Sequence, residues 1–220
     1  PGSTIKLATL LAVLDKGTSK IDDLVEIGSA GRAKVGNKMV IDAERSPKPF
    51  LTVRECYAHS SNVGMSKLAY KAFAKNPEEI KEYYKKFQLD ERSAIDLSSA
   101  PKPSMAPLNE KGSSVGNMLW MSFGYALQVS PLHTLTLYNA VANNGVMMKP
   151  YLVSSIRQGG VAYRQFEPTV LANSIARADV IESARRSLEA VVTEGTGRCN
   201  RSSKNIYGDG SNRRHGTSGF

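Results

Sequence analysis

Ser3 and Lys6 stand three residues apart in Ser3-Thr4-Ile5-Lys6, behind Pro1-Gly2 and ahead of the apolar run Leu7–Leu14. Three residues is nearly one helical turn, so a helix starting here puts both side chains on one face. The serine hydroxyl then sits at a helix N-terminus, where free N–H groups and the macrodipole favour developing negative charge. An amine beside it, desolvated enough to be partly neutral, can take the serine proton and make a nucleophile without histidine. S-x-x-K alone is weak, because a serine that opens a helix is ordinarily a cap over a solvated lysine. The pair gains meaning only from partners elsewhere.

A second polar element is Ser60-Ser61-Asn62. A hydroxyl can relay a proton to a leaving amine, and a carboxamide can bind a substrate amide or the lysine. Alone, S-x-N at a helix end usually just caps. The third element sought is a strand with a cation, a small hydroxyl residue and glycine. The chain ends His215-Gly216-Thr217-Ser218-Gly219-Phe220, where Ser218-Gly219 supplies the last two and Thr217 stands in the cation's place. Arg213, Arg214 or His215 could bring charge from nearby.

The elements that must position these residues follow from periodicity and punctuation. Thr4 to Lys16 reads as a helix closed by Gly17, apolar almost all round and therefore buried. Residues 18–50 read as short strand-like pieces. Thr52-Val53-Arg54-Glu55 is a capping box that starts a short helix running from Val53 to about His59. Val63 to Phe73 resumes the helical pattern, so Ser60-Ser61-Asn62 lies at a break between two helices. Asn76-Pro77-Glu78-Glu79 opens another helix, and residues 98–116 form a long irregular loop. Ser130-Pro131 caps a helix over Leu132–Asn143. Tyr151–Ile156 and Val161–Phe166 read as strands joined at Gly159-Gly160. Val180–Thr193 is the last helix, ending in Glu194-Gly195-Thr196-Gly197. With no repeat and no linker, residues 1–220 read as one helix-rich α+β domain.

Composition excludes several functions. At 41% hydrophobic and 22% charged, the 220 residues can build a soluble core. No stretch approaches the roughly 18 apolar residues of a membrane span. The chain begins in mid-motif without Met and reads as an excised or incomplete piece, whose own ends say nothing about targeting. The net charge of +9 is concentrated late, in Arg185, Arg186, Arg198, Arg201, Lys204, Arg213 and Arg214. These lack interleaved aromatics or any nucleic-acid motif, so a solvated basic face is expected, with no nucleic-acid partner. Such a face also suits carboxylate-bearing substrates or an anionic membrane surface. Cys56, Cys199, His59, His133 and His215 show no metal-ligand spacing, so no metal is expected. The two cysteines fit either a disulfide or free thiols.

Taken in order, S-x-x-K, S-x-N and a K-[ST]-G-like end resemble the signature of penicillin-binding proteins and serine β-lactamases. Segments Pro1–Lys6, His59–Gly64, Gly124–Leu132, Asn139–Gly145 and Glu194–Gly197 look like a class B penicillin-binding protein, of the cell-division 2/3 type. The resemblance implies that family's α+β transpeptidase fold, a helical subdomain plus an antiparallel sheet, incomplete here at both ends because the family's strands before the nucleophile helix and beyond the third motif are not in this chain. It implies that Ser3 attacks a D-Ala-D-Ala carbonyl and releases D-alanine, with Lys6 as base and Ser60 and Asn62 in proton relay and amide binding. Ser218, with Thr217, Gly219 and Phe220, would bind the donor carboxylate. The N–H groups of Ser3 and Phe220 would form an oxyanion hole, worth about 3–4 kcal/mol per donor. No cofactor is implied.

Peptidoglycan stem peptides and β-lactams are the implied ligands. Membrane proteins of division or elongation, including a glycan polymerase, are the implied partners. The implied location is the periplasmic side of the cytoplasmic membrane. Thr217 departs from the family lysine that supports carboxylate binding. That departure keeps two alternatives in play: a non-catalytic β-lactam sensor or scaffold, and a β-lactam hydrolase or carboxypeptidase of the same fold.

Overall fold

The computed structural model describes residues 1–198 except 29, 45, 47 and 111. A 3₁₀ turn over Gly2–Ile5 leads into α1, Lys6–Asp15. The helix therefore begins two residues later than its apolar pattern predicts. Gly2 enters at φ +62° and the Thr4 hydroxyl donates to the Pro1 carbonyl at 2.9 Å, which winds the first turn tightly. Leu7 through Val13 have no exposed surface, as expected of a helix apolar all round. At its far end Arg177 caps the helix, donating to the Asp15 carbonyl at 2.5 Å and the Leu14 carbonyl at 3.3 Å.

Strands β1 (Leu24–Glu26), β2 (Arg32–Val35), β3 (Lys38–Ile41) and β4 (Phe50–Thr52) follow. The Thr52–Glu55 capping box is formed in full and starts α2, Val53–Ala58. After the Ser60 corner comes α3, Asn62–Phe73, capped by Ser61, and then α4, Glu79–Lys86. The long loop holds a short strand, β5 (Ser104–Met105), and ends in α5, Ser114–Met121. No periodic signal predicted α5, whose Met118, Leu119 and Met121 are buried.

Next come β6 (Leu127–Gln128), α6 (Pro131–Ala142), β7 (Met147–Met148), β8 (Ser155–Gln158), β9 (Val161–Gln165), β10 (Val170–Ala172) and α7 (Ala178–Thr193). Strand β8 starts at Ser155, four residues later than expected. The described strands pair only in antiparallel twos: β1–β4, β2–β3, β5–β6, β7–β10 and β8–β9. The architecture is α+β, with α1 at the centre and α2, α3, α4 and α7 packed against it.

Candidate active site

Ser3 is exposed in the 3₁₀ turn, while Lys6, one turn on, is only 1% exposed. Burial pushes the Lys6 amine down to about 8, and the Asp42 carboxylate opposes part of that fall. The ammonium donates to the Ser60 carbonyl at 2.5 Å and the Ser60 hydroxyl at 2.9 Å. Ser3, Lys6 and Ser60 all line one cavity of about 180 Å³. No hydrogen bond joins Ser3 Oγ to Lys6 among the described residues. The two hydroxyls instead meet the amine as walls of the same space.

The predicted break between helices is a sharp corner. Ser60 has φ +54°, a left-handed conformation that a non-glycine residue adopts only when held. Ser61 caps α3 by accepting from the Gly64 N–H at 2.9 Å. Asn62 Nδ2 donates to the Ile41 carbonyl at 2.9 Å, fixing the carboxamide to the end of β3. Asn62 and Ser60 face a second cavity of about 270 Å³, which Ser3, His59 and Tyr125 also line. Ser3 and Ser60 belong to both cavities.

Several residues at this site carry no sequence signal of their own. Asp42 accepts from Ser61 Oγ and from the Val63 N–H, and nothing in the irregular segment 18–50 marks it out. Tyr138 of α6 donates to the Thr4 carbonyl at 3.1 Å, and its hydroxyl lies 3.3 Å from that of Tyr57 on α2. Burial raises both phenols, so they act as neutral donors. Two segments noted for their resemblance prove to be structural neighbours of Ser3. Gly124 lies so close to the Gly2 carbonyl that a Cβ there would sit 1.9 Å from its oxygen. Gly195 does the same at α2, where a Cβ would stand 2.1 Å from the Ala58 carbonyl, and Glu194 pairs with Arg54.

Thr217, Ser218, Gly219 and Phe220 lie outside the described residues, as do Cys199 and His215. Cys56 is buried, with its thiol pushed up to about 12. Among the described residues no cluster of His, Cys, Asp or Glu could hold a metal ion, and no helix is long and apolar enough to cross a membrane. A serine on a tight turn, a buried amine of lowered proton affinity and a second serine bonded to it can carry out acyl transfer.

The family described as "Penicillin binding protein transpeptidase domain" matches residues 1–209. Penicillin-binding protein PbpB of Mycobacterium tuberculosis is 28% identical over 195 residues, covering 87% of this chain and 27% of that protein. Stage V sporulation protein D of Bacillus subtilis is 26% identical over 204 residues, covering 90% and 30%. The chain thus spans between a quarter and a third of the length of these relatives. Penicillin-binding protein 3 of Mycobacterium tuberculosis, solved in complex with ampicillin, superposes with a TM-score of 0.73 at 25% identity. That match covers 87% of this chain and 41% of the solved one.

Proposed function

The chain belongs to the penicillin-binding protein transpeptidase domain family, and from that premise we propose that residues 1–220 are part of one domain that cross-links peptidoglycan as a D,D-transpeptidase. The observation that carries this reading is the buried Lys6 amine, bonded to Ser60 and one turn from an exposed Ser3. An amine with a midpoint of about 8 is roughly one-tenth neutral at pH 7, enough to act as a base.

Ser3 Oγ attacks the carbonyl carbon of the D-Ala-D-Ala bond while its proton passes to Lys6 Nζ. The tetrahedral intermediate collapses, the C–N bond breaks, and a proton relayed through Ser60 reaches the departing D-alanine amine. The product is an ester on Ser3. An amine of a second stem peptide attacks that ester, a new amide forms, and the proton lost by the amine returns to Ser3 Oγ. Asn62 binds the amide of the donor peptide. A β-lactam follows the first half, but its leaving nitrogen stays tethered in the opened ring, so the ester persists. Ser218, Gly219, Thr217 and Phe220 form the carboxylate-binding side in this reading. The protein works on the periplasmic face of the cytoplasmic membrane beside a glycan-polymerising partner.

A fluorescent penicillin followed by peptide mass spectrometry tests the reading. A lasting adduct on Ser3 that Ser3→Ala abolishes is expected; no adduct on folded protein overturns it. Threonine at position 217 favours a second reading, a β-lactam sensor that keeps the acylation site without turnover. Cross-linking of a stem-peptide pair separates the two. Rapid loss of the adduct would instead indicate a hydrolase.

A further inference from the structure

Asp42 immediately follows β3, and both of its carboxylate oxygens are committed to one corner of the site. Oδ2 accepts from Ser61 Oγ at 2.9 Å and Oδ1 from the Val63 N–H at 2.8 Å. Its neighbour Ile41 takes the Asn62 amide through its carbonyl. Ser61 and Asn62 are thus tied to the end of one strand, and Ser60 is the member of the triplet turned to Lys6. Its backbone at φ +54° needs such a hold, since strain of this kind persists only where the surroundings over-determine it. Both Asp42 bonds are charge-assisted, the stronger class of hydrogen bond.

We propose that Asp42 is a positioning residue for acyl transfer, holding the Ser60–Asn62 corner against the end of β3 so that both Ser60 oxygens face Lys6. The inference rests on Ser3 as nucleophile and Lys6 as base. Its charge has a separate consequence. Burial disfavours the Lys6 ammonium, and the Asp42 carboxylate partly offsets that. The other ionisable groups on the two cavities are Glu44 beyond β3, Tyr57 and His59 on α2 and its end, Tyr125 ahead of β6, and Tyr138 on α6. From α3 comes Asn62 and from α7 Val191, neither charged.

The test is the second-order rate of penicillin acylation as a function of pH. Asp42→Asn keeps an oxygen for the corner but loses the charge. Its plateau is expected to fall about tenfold, and the midpoint of its rising limb to move below that of the unaltered protein. Asp42→Glu restores the charge with the wrong reach, so its plateau falls while the midpoint stays. A purely structural role for Asp42 would lower the plateau without moving the midpoint in either variant. A folded Asp42→Asn whose plateau lies within roughly twofold of the unaltered protein, or whose midpoint does not move, overturns the proposal. Should Asp42→Asn fail to fold, Asp42→Ser carries the test, since it too keeps an oxygen beside Ser61 and loses the charge. A lower plateau with a midpoint moved down is expected, and an unchanged plateau or an unmoved midpoint overturns the proposal. If the unaltered protein takes no label on Ser3, the transpeptidase reading fails instead, which keeps the two failures apart.

Discussion

A lysine removed from water gives up hydration that two hydrogen bonds replace only in part. Lys6 accepts that loss, and its amine drops from 10.5 to about 8. An unfolded chain therefore holds the proton up to pH 10.5, while the folded one releases it near 8. Between those values the unfolded state binds more protons, so stability gains from this group as pH rises. Below pH 8 the penalty is present in full, on the order of 3 kcal/mol. Lys6→Met is accordingly expected to raise the melting temperature at pH 7 while abolishing acylation, as calorimetry and penicillin labelling would check. In the unaltered protein the acylation rate should climb with pH and level off above about 8. A rate independent of pH between 6 and 9 would remove Lys6 from the role of base. The opposing signs of stability and rate at one residue are what a site built for chemistry predicts.

At the scale of elements, the site depends on close backbone approaches as much as on reactive side chains. Gly124, at φ +103°, lets the chain before β6 press against the Gly2 carbonyl and so supports the 3₁₀ turn carrying Ser3. Gly124→Ala must push that turn aside. It is expected to cost about 2–4 kcal/mol and to reduce acylation more than the loss of stability explains. Gly159→Ala in the β8–β9 turn meets nothing within 4 Å. At a similarly left-handed φ of +58° it should cost only about 1 kcal/mol and leave labelling intact. Urea melts paired with labelling rates at matched folded fraction would decide. A Gly124→Ala protein that labels normally would refute the supporting role.

Local signals made much of this legible. The capping box at Thr52, the break at Ser60 and the helices α3, α6 and α7 all follow from caps and periodicity that neighbouring residues share. What stayed hidden is tertiary. Asp42 has no periodic company, and its partners lie about 20 residues on. Tyr138 reaches Thr4 across 134 positions. Helix α5 carries glycine near its start and follows a polar loop, so packing rather than propensity forms it. The late start of α1 arises from Gly2, whose positive φ no apolar pattern reveals.

For the whole molecule, everything turns on α1. Its apolar side chains meet α2, α3, α4 and α7, so one helix is the shared core of the described fold. Leu10→Ala should cost about 2–5 kcal/mol, seen as a lower urea midpoint, and yet the folded fraction should still take label at Ser3. A loss of labelling in fully folded Leu10→Ala would mean that the core and the site are less separable than this packing implies.

The burial of Leu7 through Val13 on every side also governs how the backbone breathes. Amides in such a helix meet solvent only when the entire fold opens, whereas a 3₁₀ turn at the surface opens far more often. In deuterated buffer the protons of α1 would be among the last to exchange, and those of Ser3 and Thr4, the exposed residues of the turn, among the early ones. The boundary between slow and fast exchange then falls between the nucleophile and its base. The base stands at the head of the buried helix, while the serine stands on the exposed turn ahead of it.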